Sequence, residues 1–214
     1  MGMVAARGVT ALVEIGPEQE VLGGADDPGD DDLVAAARRD RAAFARLYRR
    51  YVDPVHRYCF RRLGSREAAE DAASLVFVKA LTSLPRYRDR EDGSFRGWLF
   101  TIAHRVVVDA LRVRGREQTT TLDEADGVSA ADPLPEELAV AGEDGRLLRE
   151  MILRLPEAER QAIELRLAGL TGGEIATVLG KNRTAVDVAQ FRAIRRLRAL
   201  LSVGPTEESR RGRG

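Results

Sequence analysis

Six side chains along one short stretch, Asp187, Gln190, Phe191, Arg192, Arg195 and Arg198, could engage a nucleic acid without making or breaking a covalent bond. They can do so only if one rigid element presents them together. Between them Val186, Ala189, Ala193, Leu197 and Leu200 recur at three- and four-residue steps, which predicts a helix with those five toward a core and the six polar or aromatic groups largely outward. Just upstream, Thr171 is followed three residues later by Glu174, the spacing of a capping box at a helix start. Ile175, Ala176 and Leu179 supply an apolar stripe, Gly180 can take the left-handed conformation that ends a helix, and Thr184 can cap the next. This is helix-turn-helix punctuation, and a basic helix so held fits a DNA major groove. The same punctuation occurs in all-α proteins that never touch DNA, and an arginine run can be a solvated face. Both readings stand on this stretch alone.

A second stretch, FRGWLFTIAHRVVVDALRVRGR from Phe95 to Arg116, places Phe95, Trp98, Leu99, Ile102, Ala103, Val106, Val107 and Ala110 at helical spacing. Arginines at 96, 105, 112, 114 and 116 fall on or near the other side. A polar loop, PRYRDREDGS at 85–94, precedes it. Aromatic rings beside cations can stack on unpaired bases while the charges follow the backbone, which is how single strands are held. The competing expectation is that Phe95 and Trp98 fill the core.

These two stretches need scaffolds, and composition describes them. The chain has 214 residues with formal net charge +0, 34 basic and 34 acidic side chains. Few aromatics and short β-branched runs favour an all-α class. The neutral sum hides segregation. Residues 1–32 carry one basic and eight acidic groups and residues 117–144 none and nine, whereas 33–116 hold nineteen against nine and 145–214 fourteen against eight. Two positive bodies on a negative connector suit contact with phosphate at two places. Cys59 is alone, so no internal disulfide is possible, which suits a reducing cytoplasm. Only two histidines, His56 and His104, are present and far apart, so no metal-ligand cluster is read and no cofactor is expected. No nucleophile constellation or phosphate-binding glycine loop is visible, which argues against an enzyme. Apolar runs fall short of a membrane span, and the N-terminus lacks a signal-peptide layout.

In chain order, residues 1–30 are expected to be disordered. Asp30 to Asp32 place negative charge at a helix start, followed by a helix from Leu33 to about Tyr51. Asp53-Pro54 is read as the cap and first residue of a second helix ending near Gly64, and Ser65 as the opening of a third that Pro85 stops. Residues 115–145 form the acidic connector, two helices broken at Leu155-Pro156 lead into the helix-turn-helix, and the tail after Ser202 is expected to fray.

Four features in this order, AEDAASLVFVKAL at 69–81, FRGWLFTIAHRVVVDALR at 95–112, LPEAERQAIELR at 155–166 and the terminal helix-turn-helix, resemble an extracytoplasmic-function (group IV) sigma factor of bacterial RNA polymerase over about residues 31–200. The resemblance implies two small helical domains: a sigma2 domain at 31–115 that binds the polymerase clamp and opens the minus-ten element, and a sigma4 domain at 145–203 that reads the minus-thirty-five element. The linker at 116–144 would thread the RNA exit path. Its partners would be the polymerase core, promoter DNA and an anti-sigma protein. Core binding would fall to Asp71, Phe77 and Lys79, with Ser74 and Leu75 standing where the family usually has Gln-Glu. Minus-ten capture would use the loop residues Arg88 and Asp89 with Phe95, Arg96, Trp98, Arg105, Asp109 and Arg112; the family's usual asparagine is replaced by Arg105. Arg183, Thr184, Phe191 and Arg192 keep positions that resemble DNA-facing ones, joined by Val188 and Arg195. Asp187 stands where a cation is usual. It either stabilises its helix N-terminus or accepts from a cytosine amino group.

A flexible linker of about 30 residues spans roughly 30 Å on average, against roughly 70 Å between two sites two helical turns apart. The free chain is therefore expected to be compact or variable and to be held open by polymerase. Two other classes remain at this point: a helix-turn-helix regulator acting on operators without polymerase, and an interaction protein whose basic bodies clasp an acidic partner.

Overall fold

The structure is a computed structural model and describes residues 29–88, 94–120 and 142–202. Every regular element among them is helical. Helix α1 spans Asp30–Arg39, with Asp30, Asp31 and Asp32 in its first turn and Arg38 and Arg39 in its last, both signs complementing the helix dipole. It ends at Asp40, whose extended backbone lets its carboxylate accept from the Ala42 N–H at 2.9 Å and start a 3-10 turn, Arg41–Ala43. Helix α2 follows without pause as Phe44–Leu63. The expected break at Asp53-Pro54 is thus corrected: the chain turns at Asp40 instead, and Pro54 lies buried inside α2. A proline there removes one link of the hydrogen-bond ladder. Burial of Phe44, Leu47, Tyr51, Val55, Tyr58, Cys59 and Phe60 on the same helix offsets that loss.

Gly64, at φ 76°, closes α2 in the left-handed conformation. The Ser65 hydroxyl then accepts from the Ala68 N–H and opens α3, Arg66–Ser83. A 3-10 turn, Leu84–Arg86, contains Pro85 and ends this helix as expected. Helix α4 runs Phe95–Thr120, so it continues into the start of the acidic connector. Then come α5 (Gly142–Leu153), which begins within the expected connector, α6 (Glu157–Leu167), α7 (Gly172–Leu179) and α8 (Arg183–Ser202).

Helices α2, α3 and α4 pack around Leu47, Tyr58, Phe60, Leu84, Phe95, Leu99 and Phe100, with α1 laid across them. This core does not stop at the connector. Leu165, Ala168, Leu170, Ile175, Val178 and Val186 of the rear half belong to the same apolar cluster. A smaller second cluster joins Met151, Ile152, Leu155 and Ile163 to Ala193 and Leu197 of α8. The rear helices are therefore seated on the front ones, chiefly α7 against α4.

Polar groups clasp the seam from both sides. The Arg62 guanidinium, 3% exposed, forks to Glu157 at 2.6 Å and to Glu164 at 3.1 Å, the latter 1% exposed. Arg61 donates to the Glu164 carbonyl at 3.1 Å. The Arg149 guanidinium lies over the Phe60 ring at 5.2 Å. Across the seam's other end, Glu174 of α7 accepts from the Nε and one terminal nitrogen of the Arg96 guanidinium, at 3.0 and 3.1 Å, and from the Ser94 hydroxyl. Burial alone would push the Glu174 carboxyl up, but the donors from Arg96, Ser94 and the Thr171 N–H together hold it below the usual carboxylate range.

Among the described residues, no helix is long and apolar enough to cross a membrane and no group of three or more potential metal ligands occurs. Cys59 is buried, and burial pushes its thiol up to about 12, which keeps it protonated and unreactive.

Two stability predictions follow from the capping box and the seam. Thr171→Ala should lower stability by about 1 kcal/mol in denaturant melts, with Thr171→Ser close to neutral. Because the folded Glu174 carboxyl is depressed, its contribution is present above its ordinary value near 4.5 and is lost as pH falls through the folded value. The melting temperature of the wild-type chain should therefore exceed that of Glu174→Gln at neutral pH, and the gap should close as acidification carries the pH down through the depressed carboxyl value; a gap that stays constant would contradict the assignment.

Candidate nucleic-acid interface

The helix-turn-helix forms from the residues whose spacing announces it. The Thr171 hydroxyl accepts from the Glu174 N–H at 3.3 Å while the Glu174 carboxylate accepts from the Thr171 N–H at 2.6 Å, a complete capping box. Gly180, at φ 62°, ends α7. The cap of α8 differs from expectation: the Asn182 side chain, not Thr184, accepts from the Ala185 N–H, at 2.7 Å. Val186, Ala193 and Leu197 are buried, with Ala189 and Leu200 half-buried. That fixes the opposite face in solvent. Arg183, Thr184, Asp187, Val188, Phe191, Arg192 and Arg195 are all exposed, Val188 by 41% and Phe191 by 67%. Exposed apolar side chains at i and i+3 on a basic helix supply the shape and surface that contact a thymine methyl in the major groove.

Asp187 pairs within its own helix rather than with the helix N-terminus. It is the fifth residue of α8, beyond the first turn, and it accepts from the Arg183 Nε at 2.9 Å across one helical turn, both side chains being half exposed. Arg183 in turn lies over Gly172, where a Cβ would come within 2.5 Å of the guanidinium. The pair fixes one end of the exposed face of α8, along which Arg192, Arg195 and Arg198 also stand in solvent.

A second surface surrounds the start of α4. The Ser94 hydroxyl accepts from the Gly97 N–H at 3.0 Å and caps the helix. Phe95 is 1% exposed and packs against Tyr51, Tyr87 and Trp98, with ring centroids 5.6, 5.8 and 5.4 Å away. The expectation that Phe95 stacks on a base is therefore corrected: in this fold it is the core residue beneath the surface. Trp98 is half-buried, resting on Tyr87 at 4.9 Å, and Arg38 lies over the other partner of that stack, Tyr87, at 5.5 Å. Trp98 thus has one part of its ring in the core and one part presented to solvent. Arg105 is exposed, and Asp109 and Arg112 are exposed and face each other at 3.6 Å. Neighbouring His104 instead turns inward to the Tyr58 hydroxyl at 3.0 Å; burial first, then Arg62 and Arg105, lowers its pKa below the ordinary value. Arg88 is exposed, and Asp89 lies outside the described residues.

A third surface lies on α3. Asp71, Ser74, Leu75 and Lys79 point outward along one face, with Leu75 44% exposed. Phe77 does not join them. It is 6% exposed, edge-on to Tyr48 at 4.7 Å, so its expected direct contact with polymerase is corrected to a supporting position in the core. In its place Val78, 61% exposed, and Tyr48, 44% exposed, extend the apolar patch around Leu75. Val78 was legible as the residue three after Leu75 on the same helical face. Tyr48 comes from α2 and carries no such signal.

Comparison with known proteins agrees with this arrangement. Residues 47–117 match the family model for Sigma-70 region 2, and residues 145–197 that for Sigma-70, region 4. The chain is 35% identical to the ECF RNA polymerase sigma factor BldN of Streptomyces coelicolor over 175 residues, 79% of this chain and 65% of that protein. It is 34% identical to the ECF RNA polymerase sigma factor SigD of Mycobacterium tuberculosis over 191 residues, 87% of this chain and 88% of that one. Among solved structures, CnrH in complex with the cytosolic domain of CnrY shares the fold at TM-score 0.60 and 24% identity, covering 82% of this chain and 98% of that one. RpoE of Bartonella quintana in complex with the anti-sigma factor NepR does so at TM-score 0.57 and 19%, covering 75% and 98%. With both sigma-70 regions present in order and a relative matched along most of its length, this chain belongs to the extracytoplasmic-function sigma factors of the sigma-70 family.

Proposed function

We propose that the front body, residues 31–115, docks on the polymerase core through Asp71, Ser74, Leu75 and Lys79 with Val78 and Tyr48, and captures the minus-ten strand with Trp98, Arg96, Arg105 and the loop that carries Arg88 and Asp89. The rear body, residues 145–203, reads the minus-thirty-five element with the outward face of α8. The segment 116–144 connects the two and, being acidic, takes the path of a nucleic acid through the polymerase. The chain acts in the cytoplasm, where core enzyme and promoter are found, and an anti-sigma protein binds it, as the anti-sigma factor NepR binds the similarly folded RpoE.

The observation that carries this reading is the face of α8: seven side chains of DNA-contacting type stand in solvent on a helix whose other face is locked by Val186, Ala193 and Leu197. Phosphate contacts from Arg192 and Arg195 would set the register, and Val188 and Phe191 would read base edges by apolar contact. Opening the duplex requires no bond chemistry. Sigma factors are non-catalytic initiation factors, and the free energy for strand separation comes from holding an unstacked base, which must offset a few kcal/mol of lost stacking. Half-buried Trp98, braced from below by Tyr87 and Phe95, offers a rigid platform of the type that stacks on single strands.

Run-off transcription with purified core polymerase over a promoter library tests the whole proposal. Sequence-selective initiation that depends on this chain supports it; operator binding with no effect on initiation would instead favour a regulator that is not a polymerase subunit. Arg192→Ala should weaken the minus-thirty-five duplex complex by about 1–3 kcal/mol in a binding titration. Trp98→Ala should leave that duplex affinity intact while lowering open-complex yield. Since Trp98 also packs on the core, a melting curve must accompany the assay, and equal open-complex yield by a folded variant would remove the strand-capture role.

A further inference from the structure

The first residue of α8 stands where helix electrostatics disfavour it. Arg183 brings a cation to the positive end of its own helix, and its guanidinium lies on Gly172, the first residue of α7 and so the positive end of a second. Arg166 is close enough for the like charges to be felt: burial first, and then Arg183, lowers the Arg166 pKa. Against these positive sources Asp187 supplies the anion, its carboxylate accepting from the Arg183 Nε at 2.9 Å. Helix stability does not account for the pair. Both side chains are half exposed, where such pairs contribute little, and a cation one turn N-terminal to an anion is the weaker order along a helix.

Its effect is geometric. Donation from Nε to Asp187 restrains rotation at the end of the side chain, and Gly172 sets the guanidinium from beneath: a Cβ there would meet Cζ and Nε at 2.5 Å and Nη2 at 2.8 Å. The terminal edge remains. Among the described residues Nη1 and Nη2 make no hydrogen bond, so a fork of donors is left without a protein partner at the N-terminal end of α8. In a helix that enters the major groove, the side chains of that end reach base edges. The acceptors that such a fork matches are O6 and N7 of guanine.

We infer that Asp187 and Gly172 are positioning residues that hold Arg183 as a guanine reader, so that a guanine at one end of the minus-thirty-five element is specified by Arg183 and not by the side chain at 187. This rests on the reading of α8 as the helix that meets that element. The Arg183–Asp187 unit carries no net charge and adds little attraction to phosphate. It adds direction. Arg192 and Arg195 supply the attraction, and Val188 and Phe191 the apolar contacts further along the helix. A guanidinium held before the encounter loses less freedom on binding than an unheld one, so discrimination rises without added charge. Lysine, with one compact ammonium and no planar fork, could not be held or read in this way.

The test uses core polymerase loaded with the full-length chain and a promoter library randomised through the minus-thirty-five element, with bound and unbound pools sequenced. Wild type should prefer guanine at one position by about tenfold or more. Arg183→Ala should bring that preference to within about twofold of none while the preferences at other positions persist. Asp187→Ala should erase it at the same position, yet raise affinity for unrelated duplex, because a carboxylate has left a surface that lies near phosphate. That split separates positioning from a structural role, which would weaken all duplexes alike. Gly172→Ala displaces the end of a flexible side chain and should also erase the preference; should that variant prove unstable, Asp187→Ala, at an exposed position, decides. A guanine preference that survives Arg183→Ala or Asp187→Ala would overturn the inference. So would a cytosine preference that Asp187→Ala removes and Arg183→Ala does not, since Asp187 would then read a base directly. Failure of the underlying reading has a different signature: wild type would select no base anywhere in the element, and Arg192→Ala would leave the bound pool unchanged.

Discussion

One carboxylate ties local helix chemistry to the arrangement of the whole chain. Glu174 completes the capping box of α7 through the Thr171 N–H and, with its remaining acceptor capacity, binds Arg96 and Ser94 from the far side of the connector. An ionised carboxylate has about four lone-pair directions, so it can serve both tasks at once. Removed from water, each of these bonds is electrostatically stronger than it would be at the surface, and leaving one unmade is correspondingly harmful. The start of the helix-turn-helix and the start of α4 are thereby fixed to each other through a single side chain.

Around that point the seam is built in two layers with different physics. Its interior is apolar: Ile175 and Val178 of α7 join Leu99, Phe100 and Ala103 of α4 in one cluster, and this burial is non-directional and additive with area. Its edges are ionic, with Arg62 held between Glu157 and Glu164 and Arg61 donating to the backbone at the same place. Ion pairs of this kind contribute little net stability, but each partner is harmful alone, so they specify how the bodies meet more than how tightly. A seam whose geometry is exact and whose net strength is modest suits two bodies that must later sit at separate places on a promoter.

The two exposed surfaces proposed to meet DNA are correspondingly unlike. On α8 the outward side chains stand in solvent on a rigid backing, which suits recognition of a preformed duplex. Asp187 there is matched to Arg183 and so subtracts one cation from the face, shifting its weight toward the apolar pair Val188 and Phe191 and the more distal Arg192 and Arg195. At α4 the aromatic group is stacked in depth, Phe95 under Trp98 with Tyr87 beside both, and the nearest cation is already engaged.

Much of this was written in local spacing. The all-helical class, the capping box at Thr171 and Glu174, the left-handed stop at Gly180, the Ser65 cap and the apolar stripe of α8 depend on contacts within a few residues, and such contacts are properties of sequence alone. The resemblance to sigma factors likewise came from motifs in order. Where reading failed, two local signals competed or a distant partner intervened. Asp53-Pro54 looked like a helix start, yet the burial of Tyr51, Val55 and Tyr58 carried α2 through it, while Asp40, a plainer signal, made the turn. Asn182 outcompeted Thr184 as a cap by two residues. Phe77 and Phe95 have the composition of binding residues, but only the packing of Tyr48, Tyr51 and Tyr87 against them put both inside. Sequence fixes which faces are apolar and which charged; which of those faces meet each other is decided by long-range packing, because Glu174 lies about eighty residues from Ser94 and Arg96 and no periodicity connects them.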